Sequence, residues 1–263
     1  MAPLGMYKLR RMLEDGLPHL FQTPLEFLFA RGLGHEEQRA VDRVELIRSA
    51  VAQQTCLFEI ANPDSENPKR TAAHIARRSS VTPEWGTFLY LCAETFRSRT
   101  ILELGSCAGI SGCYLASSRY CTRLITVEGS TSLALLAESN IRQISDKAEV
   151  VNALFDEALD MILPTIKDGV DLAYIDGHHE YEATLHYFHR LESHINKGAL
   201  VVFDDVHWSN GMWQAWQVLK GQEGFAYTID VGRLGICLWG GCSTIPINYD
   251  LCPYIGWLRK ALS

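Results

Sequence analysis

Two groups of residues in this 263-residue chain have the types and spacing to do chemistry. One is the run Glu103-Leu104-Gly105-Ser106-Cys107-Ala108-Gly109, a carboxylate followed by two glycines four residues apart. Glycines let a backbone approach a ligand closely and take conformations that a Cβ would block. The other group is acidic and histidine-rich: Tyr174-Ile175-Asp176-Gly177-His178-His179 and Phe203-Asp204-Asp205-Val206-His207-Trp208. If the strands ending in these two segments are neighbours, three carboxylates converge at one sheet edge. Like charges held close repel, and burial would raise their pKa values unless a cation compensates. Hard oxygen ligands at that density suit Mg²⁺ first, or Mn²⁺ or Ca²⁺. The structural alternative is that Asp204 and Asp205 cap a turn with diverging side chains.

Both groups need strands to position them. Short apolar runs at 100–104, 124–128, 148–153, 171–176 and 199–204 suit parallel strands buried on both faces. Helical patterns separate them at Thr131 to Ser145, after a Ser130 cap, and at Glu180 to Ile195. The latter carries a stripe of Tyr181, Leu185, Phe188 and Ile195 and ends at Asn196-Lys197-Gly198. Strands alternating with helices imply βαβ units and right-handed crossovers. Runs 225–230 and 234–239 are joined only by Val231-Gly232-Arg233, a link that allows a hairpin and forbids a parallel crossover. The expected fold is α/β, doubly wound: a mostly parallel, seven-stranded Rossmann-like sheet ending in an antiparallel hairpin. Upstream, His35 to Phe58 and about Pro83 to Phe96 read as helices, and Asn62 to Arg70 as a surface loop.

On such a sheet, ligands bind beyond the carboxyl ends of the strands. The glycine spacing is not that of a dinucleotide loop, and Glu103 would repel a pyrophosphate. The carboxylate instead suits a cationic sulfonium that also carries an ammonium. Glu128 ends the next strand, where an acid can accept both ribose hydroxyls. This segment resembles motif I of the class I S-adenosylmethionine-dependent methyltransferases. Thr82-Pro83-Glu84-Trp85-Gly86-Thr87-Phe88-Leu89 resembles the entry helix of their catechol and caffeoyl-CoA O-methyltransferase group. The resemblance runs from about residue 80 to 240. It implies that Gly105, Ser106, Gly109 and Ser111 line the methionine end beside Glu103, that Glu128 holds the ribose, and that Phe155 lies near the adenine.

The metal-dependent O-methyltransferases carry an Asp after strand four, an Asp-Asn or acidic pair after strand five, and often a tryptophan three residues on. Asp176, Asp204, Asp205 and Trp208 occupy those places. The resemblance thus implies a metal site of Asp176, Asp204 and Asp205, with Asp176 also on the cofactor side. Asp205 replaces the usual Asn, which looks like the macrolide-sugar enzymes. His179 stands where the catechol enzymes place a lysine, and a histidine there can take a proton from an acceptor hydroxyl. The implied reaction is metal-assisted transfer of a methyl group from S-adenosylmethionine to a hydroxyl of a small molecule with vicinal oxygens. The alternatives are a metal-independent methyltransferase and a nicotinamide-dependent oxidoreductase on a similar sheet.

A net charge of −7 disfavours nucleic acid as a partner, and no run is long and apolar enough to span a bilayer. The eight cysteines include no C-x-x-C pair and read as free thiols in a cytoplasmic protein. Cys237, Cys242 and Cys252 are the remote metal candidates among them. The domains expected are residues 1–80, a helical extension for substrate selection, lid or homodimer contact, and 81–263, the cofactor-binding domain.

Overall fold

A computed structural model describes residues 2–29, 31–59, 69–241 and 245–255. The chain divides into two units: residues 33–167, and residues 1–32 together with 168–263. The latter unit begins with α1 (Ala2–Glu14) and α2 (Gln22–Leu28).

Residues 33–167 open with α3 (His35–Ala52), whose Val41, Val44, Ile47 and Val51 are buried at helical spacing. The expected helix stops there. Leu57 and Phe58 instead enter a hairpin of β1 (Leu57–Glu59) and β2 (Lys69–Thr71). Most of the loop expected at 62–70 lies outside the described residues. After α4 (Ala72–His74), α5 (Pro83–Thr95) starts with proline at its first position, where no intrahelical N–H is lost. Next come β3 (Thr100–Leu104), α6 (Ile110–Ala116), β4 (Arg123–Glu128), α7 (Thr131–Ile141), β5 (Ala148–Asn152) and α8 (Phe155–Ile162). β3, β4 and β5 pair in parallel, with Glu103 opposite Thr126 and Glu128 opposite Asn152. The central β4 is buried along nearly its whole length, as a strand covered on both faces must be.

The second unit continues with β6 (Val170–Ile175), α9 (Tyr181–Leu191), β7 (Ile195–Phe203), α10 (Asn210–Leu219), β8 (Phe225–Asp230), β9 (Gly235–Trp239), β10 (Ile247–Asp250) and α11 (Cys252–Ile255). Its strands lie in the order β10-β8-β9-β7-β6. β6 and β7 are parallel, while β9 runs antiparallel to both β7 and β8, forming the expected hairpin. β10 then adds in parallel beside β8. Among the described residues that makes eight strands apart from the β1–β2 hairpin, one more than the seven expected. The sequence places the end of α9 at Gly198, but the helix stops at Leu191 and β7 already runs through Gly198. That glycine has φ +87° beside a register shift in the β6–β7 ladder, so it serves a bulge rather than a helix cap. The face α9 buries is Thr184, Tyr187, Phe188 and Leu191. Phe188 sits in an aromatic core with Phe225, Phe203 and Trp239, at ring-centroid distances of 5.0, 6.0 and 6.0 Å. Tyr227 Oη donates to the Gly16 carbonyl at 3.0 Å, tying the N-terminal helices to β8.

No helix among the described residues is long and apolar enough to cross a membrane. Seven cysteines are free thiols; Cys242 lies outside the described residues.

Candidate functional site

In residues 33–167 the loop after β3 is fixed from three sides. The amides of Gly105 and Ser106 both donate to the Val127 carbonyl at 3.0 Å. Asn140 Nδ2, from α7, donates to the Ala108 carbonyl at 2.8 Å. Gly109 caps α6 at φ +75°, and a Cβ there would lie 2.8 Å from the Ala137 Cα, so both conformation and space require glycine. Cys107 also takes a positive φ, +48°. Its amide donates to Glu128 Oε2 at 2.8 Å, and the Ser130 amide donates to Oε1 at the same distance. Burial pushes the Glu128 carboxyl up, and the amides of Ser130, Cys107 and Gly129 oppose that shift. Each carboxylate oxygen retains acceptor capacity for a further hydroxyl.

Glu103 is fully buried rather than a carboxylate exposed at a strand end. The Thr126 hydroxyl donates to its Oε2 and is itself bonded to the Ser106 hydroxyl; Ser111 also bonds the carboxyl. Burial pushes Glu103 up to about 7 against these hydrogen bonds, with the charge of Glu128 adding to the rise. Its Oε1 is buried without a hydrogen-bond partner among the described residues. An acceptor left in that state suits a cationic or N–H-bearing ligand group.

A cleft of about 650 Å³ opens beside Glu128, lined by Gly129, Ser130, Thr131 and Ser132 and by Leu57 and Glu59 of β1. That is within the range of small-molecule sites. The Ser130 hydroxyl donates to the Glu59 carbonyl, and the Glu59 amide donates to Ser132 Oγ at 3.3 Å, so the β1 strand is held over the start of α7. Phe155 is the half-buried first residue of α8, following β5. Sequence reasoning missed the β1 wall, because its short strand continues a helical pattern without a break.

In the other unit, Asp176 follows β6, and Asp204 and Asp205 follow β7. The Asp204 amide donates to the Ile175 carbonyl at 3.0 Å, which sets the two strand ends side by side. Tyr174 is buried, and its hydroxyl lies 2.8 Å from Asp204 Oδ2 and 3.2 Å from Asp176 Oδ2. His179 Nε2 is 3.6 Å from Asp176 Oδ1. His178 turns elsewhere, with Nδ1 2.8 Å from the Tyr187 hydroxyl.

The residue that sequence reasoning missed is Arg233, in the β8–β9 turn. Its Nε and Nη2 each lie 2.8 Å from an oxygen of the fully buried Asp204, a bidentate pair, and Nε is 3.4 Å from Asp205 Oδ1. Burial alone would raise the Asp204 carboxyl, but the Arg233 fork, the Tyr174 hydroxyl and the Asp205 amide together hold it below the usual carboxylate range. Asp205, half-buried and facing the charge of Asp204, is pushed up, with Arg233 and His179 opposing. The available signal was topological. β9 returns antiparallel beside β7, so the turn before it must land at the carboxyl end of β7.

This arrangement does not fit a divalent ion on the three acids. Asp204 Oδ1 already accepts from the Asp205 amide and Arg233, and Oδ2 from Tyr174 and Arg233. A carboxylate has about four acceptor directions, and all are used. Nor do these acids meet as a ligand set. Among the described residues, the group of His, Cys, Asp and Glu whose ligand atoms all lie within 4.8 Å of one another is His207, Asp230 and Cys252. There the Asp230 carboxylate also accepts from the Trp216 indole and the Gly232 amide, at 2.8 and 2.9 Å. Cys237, the other described thiol of the trio named from sequence, is buried within β9. Trp208 is 73% exposed, and Trp213 faces the His207 ring at 4.8 Å between centroids.

Residues 102–206 match the family model described as a methyltransferase domain. A catechol O-methyltransferase of Mycobacterium tuberculosis is 33% identical over 133 residues, 49% of this chain and 58% of that enzyme. The chain therefore aligns with less than two thirds of that relative. An O-methyltransferase from Bacillus cereus, solved in complex with SAH, superposes with a TM-score of 0.55 at 20% identity, over 76% of this chain and 90% of that one. The O-methyltransferase TomG from Streptomyces achromogenes, solved with SAM, gives 0.52 at 22% identity, over 80% and 92%. The fold is thus the Rossmann-like fold of these O-methyltransferases, and residues 102–206 are similar to a methyltransferase domain.

Proposed function

We propose that this protein transfers a methyl group from S-adenosylmethionine to a hydroxyl of a small molecule. The observation that carries the reading is Glu128. Its two oxygens are anchored by the Cys107 and Ser130 amides and keep acceptor capacity for two ribose hydroxyls, and the residues that follow it, Gly129 and Ser130, line the cleft. The unmet oxygen of Glu103 supports it, since it suits a ligand bearing an ammonium and a sulfonium. Gly105, Ser106, Gly109 and Ser111 complete the methionine end in this reading, and Phe155 the adenine end. The donor supplies an electrophilic methyl carbon. His179 takes the proton of the acceptor hydroxyl as its oxygen attacks, and Asp176 orients the imidazole. Residues 1–80 and the exposed Trp208 are assigned to acceptor selection. Divalent-metal assistance, which the family resemblance implies, is left out because Asp204 is saturated by protein donors.

Calorimetric titration with S-adenosylmethionine and with S-adenosylhomocysteine tests the donor half. Micromolar binding of both is expected, and no binding of either would reject the reading. A panel of catechols, flavonoid-like phenols and sugar diols, assayed for methylated product, tests the acceptor half. A His179→Ala enzyme with near wild-type turnover from pH 6 to 9 would remove histidine from the mechanism.

A further inference from the structure

Asp204 and Asp205 are adjacent, one fully buried and the other half-buried, and some positive charge has to stand against them. The chain supplies its own. We propose that the Arg233 guanidinium takes the place of a divalent cation at this acidic edge, so that the protein binds no metal there and transfers methyl without one. The inference rests on the methyl-transfer reading above.

Three features of the structure support it. The fork geometry comes first. A guanidinium is planar, stays protonated at any working pH and presents paired N–H groups that match a carboxylate, as Nε and Nη2 do on the two oxygens of Asp204. The second feature is the way Arg233 is delivered. The Val206 amide donates to the Arg233 carbonyl at 3.0 Å, and the Val231 amide to the Leu234 carbonyl at 3.0 Å. Asp230, gripped by Trp216, His207 and Cys252, accepts the Gly232 amide in the same turn. Arg233 is therefore held by a turn with its own hydrogen-bonded support, which suits a permanent counter-charge better than a side chain that swings aside for an ion. The third is coordination number. Mg²⁺ demands near-octahedral oxygen ligation, whereas Asp204 has no acceptor direction to give without releasing Arg233 or Tyr174.

The deciding experiment is a Mn²⁺ titration of the full chain, stripped by chelating resin, followed by the electron paramagnetic resonance signal of free aqueous Mn²⁺. Wild-type protein should leave that signal undiminished up to millimolar Mn²⁺. Arg233→Met, which strips the acids of their counter-charge, should bind Mn²⁺ at least tenfold more tightly than wild type. If Arg233→Met does not fold, Arg233→Lys keeps the charge and gives up the fork, and the wild-type titration decides in either case. One equivalent of Mn²⁺ bound by wild type at micromolar affinity, weakened by Asp205→Asn, overturns the proposal. So does methyl transfer that EDTA abolishes and Mn²⁺ restores. Because Mn²⁺ binding is read without turnover, its outcome is separate from whether S-adenosylmethionine binds at all.

Discussion

Glu103 and Asp204 are both fully buried carboxylates at the ends of parallel strands, and the protein treats them in opposite ways. Asp204 is surrounded by donors: a guanidinium fork, a tyrosine hydroxyl and a backbone amide, which together hold its pKa below the ordinary range. Glu103 has two hydroxyls and an unmet oxygen, and burial carries it up to about 7. A buried charge with a complete shell is a structural element. One with an incomplete shell is positioned for a partner that arrives from outside. The contrast assigns Asp204 to the scaffold and Glu103 to ligand binding.

The largest effect should come from breaking the complete shell. Arg233→Met leaves Asp204 buried without its counter-charge, and removing one partner of a buried ion pair costs about 3–5 kcal/mol. Urea denaturation should show that loss as a shifted midpoint with the slope unchanged. Glu103→Gln, which removes a charge that burial already disfavours, should cost far less at pH 8 or even stabilise. Equal losses in the two variants would erase the distinction between the two carboxylates.

The second effect is a pH dependence. Glu103 binds its proton more tightly in the folded chain, near 7, than at the ordinary glutamate value of 4.5. Between those values the folded state holds more protons than the unfolded one, so stability falls as pH rises from about 4.5 through 7 and is flat above. At 1.36 kcal/mol per unit the fall is at most about 3 kcal/mol. Urea midpoints at pH 5 and pH 8 should differ in wild type by more than in Glu103→Gln. Donor binding should also release a proton from Glu103 near pH 7, visible as a dependence of calorimetric enthalpy on the buffer's ionisation enthalpy. Midpoint shifts of the same size in wild type and Glu103→Gln would show that other groups dominate.

The core strands, the glycine loop and the acidic segments were legible from the sequence. Periodicity marks a strand such as Arg123–Glu128, which is buried on both faces, and Gly109 is required locally by its φ and by Ala137. The parts that were not legible depend on contacts distant in sequence. Arg233 lies 29 residues from Asp204, and nothing in Val231-Gly232-Arg233 itself signals a buried ion pair. β1 continues an apolar helical pattern, and its identity rests on pairing with β2 and on hydrogen bonds to Ser130 and Ser132. The depth of Glu103 was likewise hidden, because a carboxylate before a glycine reads as exposed until the covering helix α6 is placed. Its neighbour Gly112 shows how close that cover is: a Cβ there would lie 3.0 Å from Glu103 Oε2.

The smallest of the three effects concerns the donor half alone. In Glu128→Gln the side chain keeps its shape but offers one acceptor oxygen and an amide nitrogen in place of two oxygens. That nitrogen must face either the Cys107 or the Ser130 amide, donor against donor, at a position where wild type holds a 2.8 Å hydrogen bond. It also costs the ribose one charged acceptor, and hydrogen bonds to charged groups contribute about 1.5–3 kcal/mol. Affinity for S-adenosylmethionine should therefore fall roughly 10- to 100-fold, at about 1.4 kcal/mol per tenfold. The loss for S-adenosylhomocysteine should be the same, because the ribose is common to both. A loss confined to the sulfonium ligand would move Glu128 away from the ribose and toward the methyl, leaving the ribose without the acceptor assigned to it.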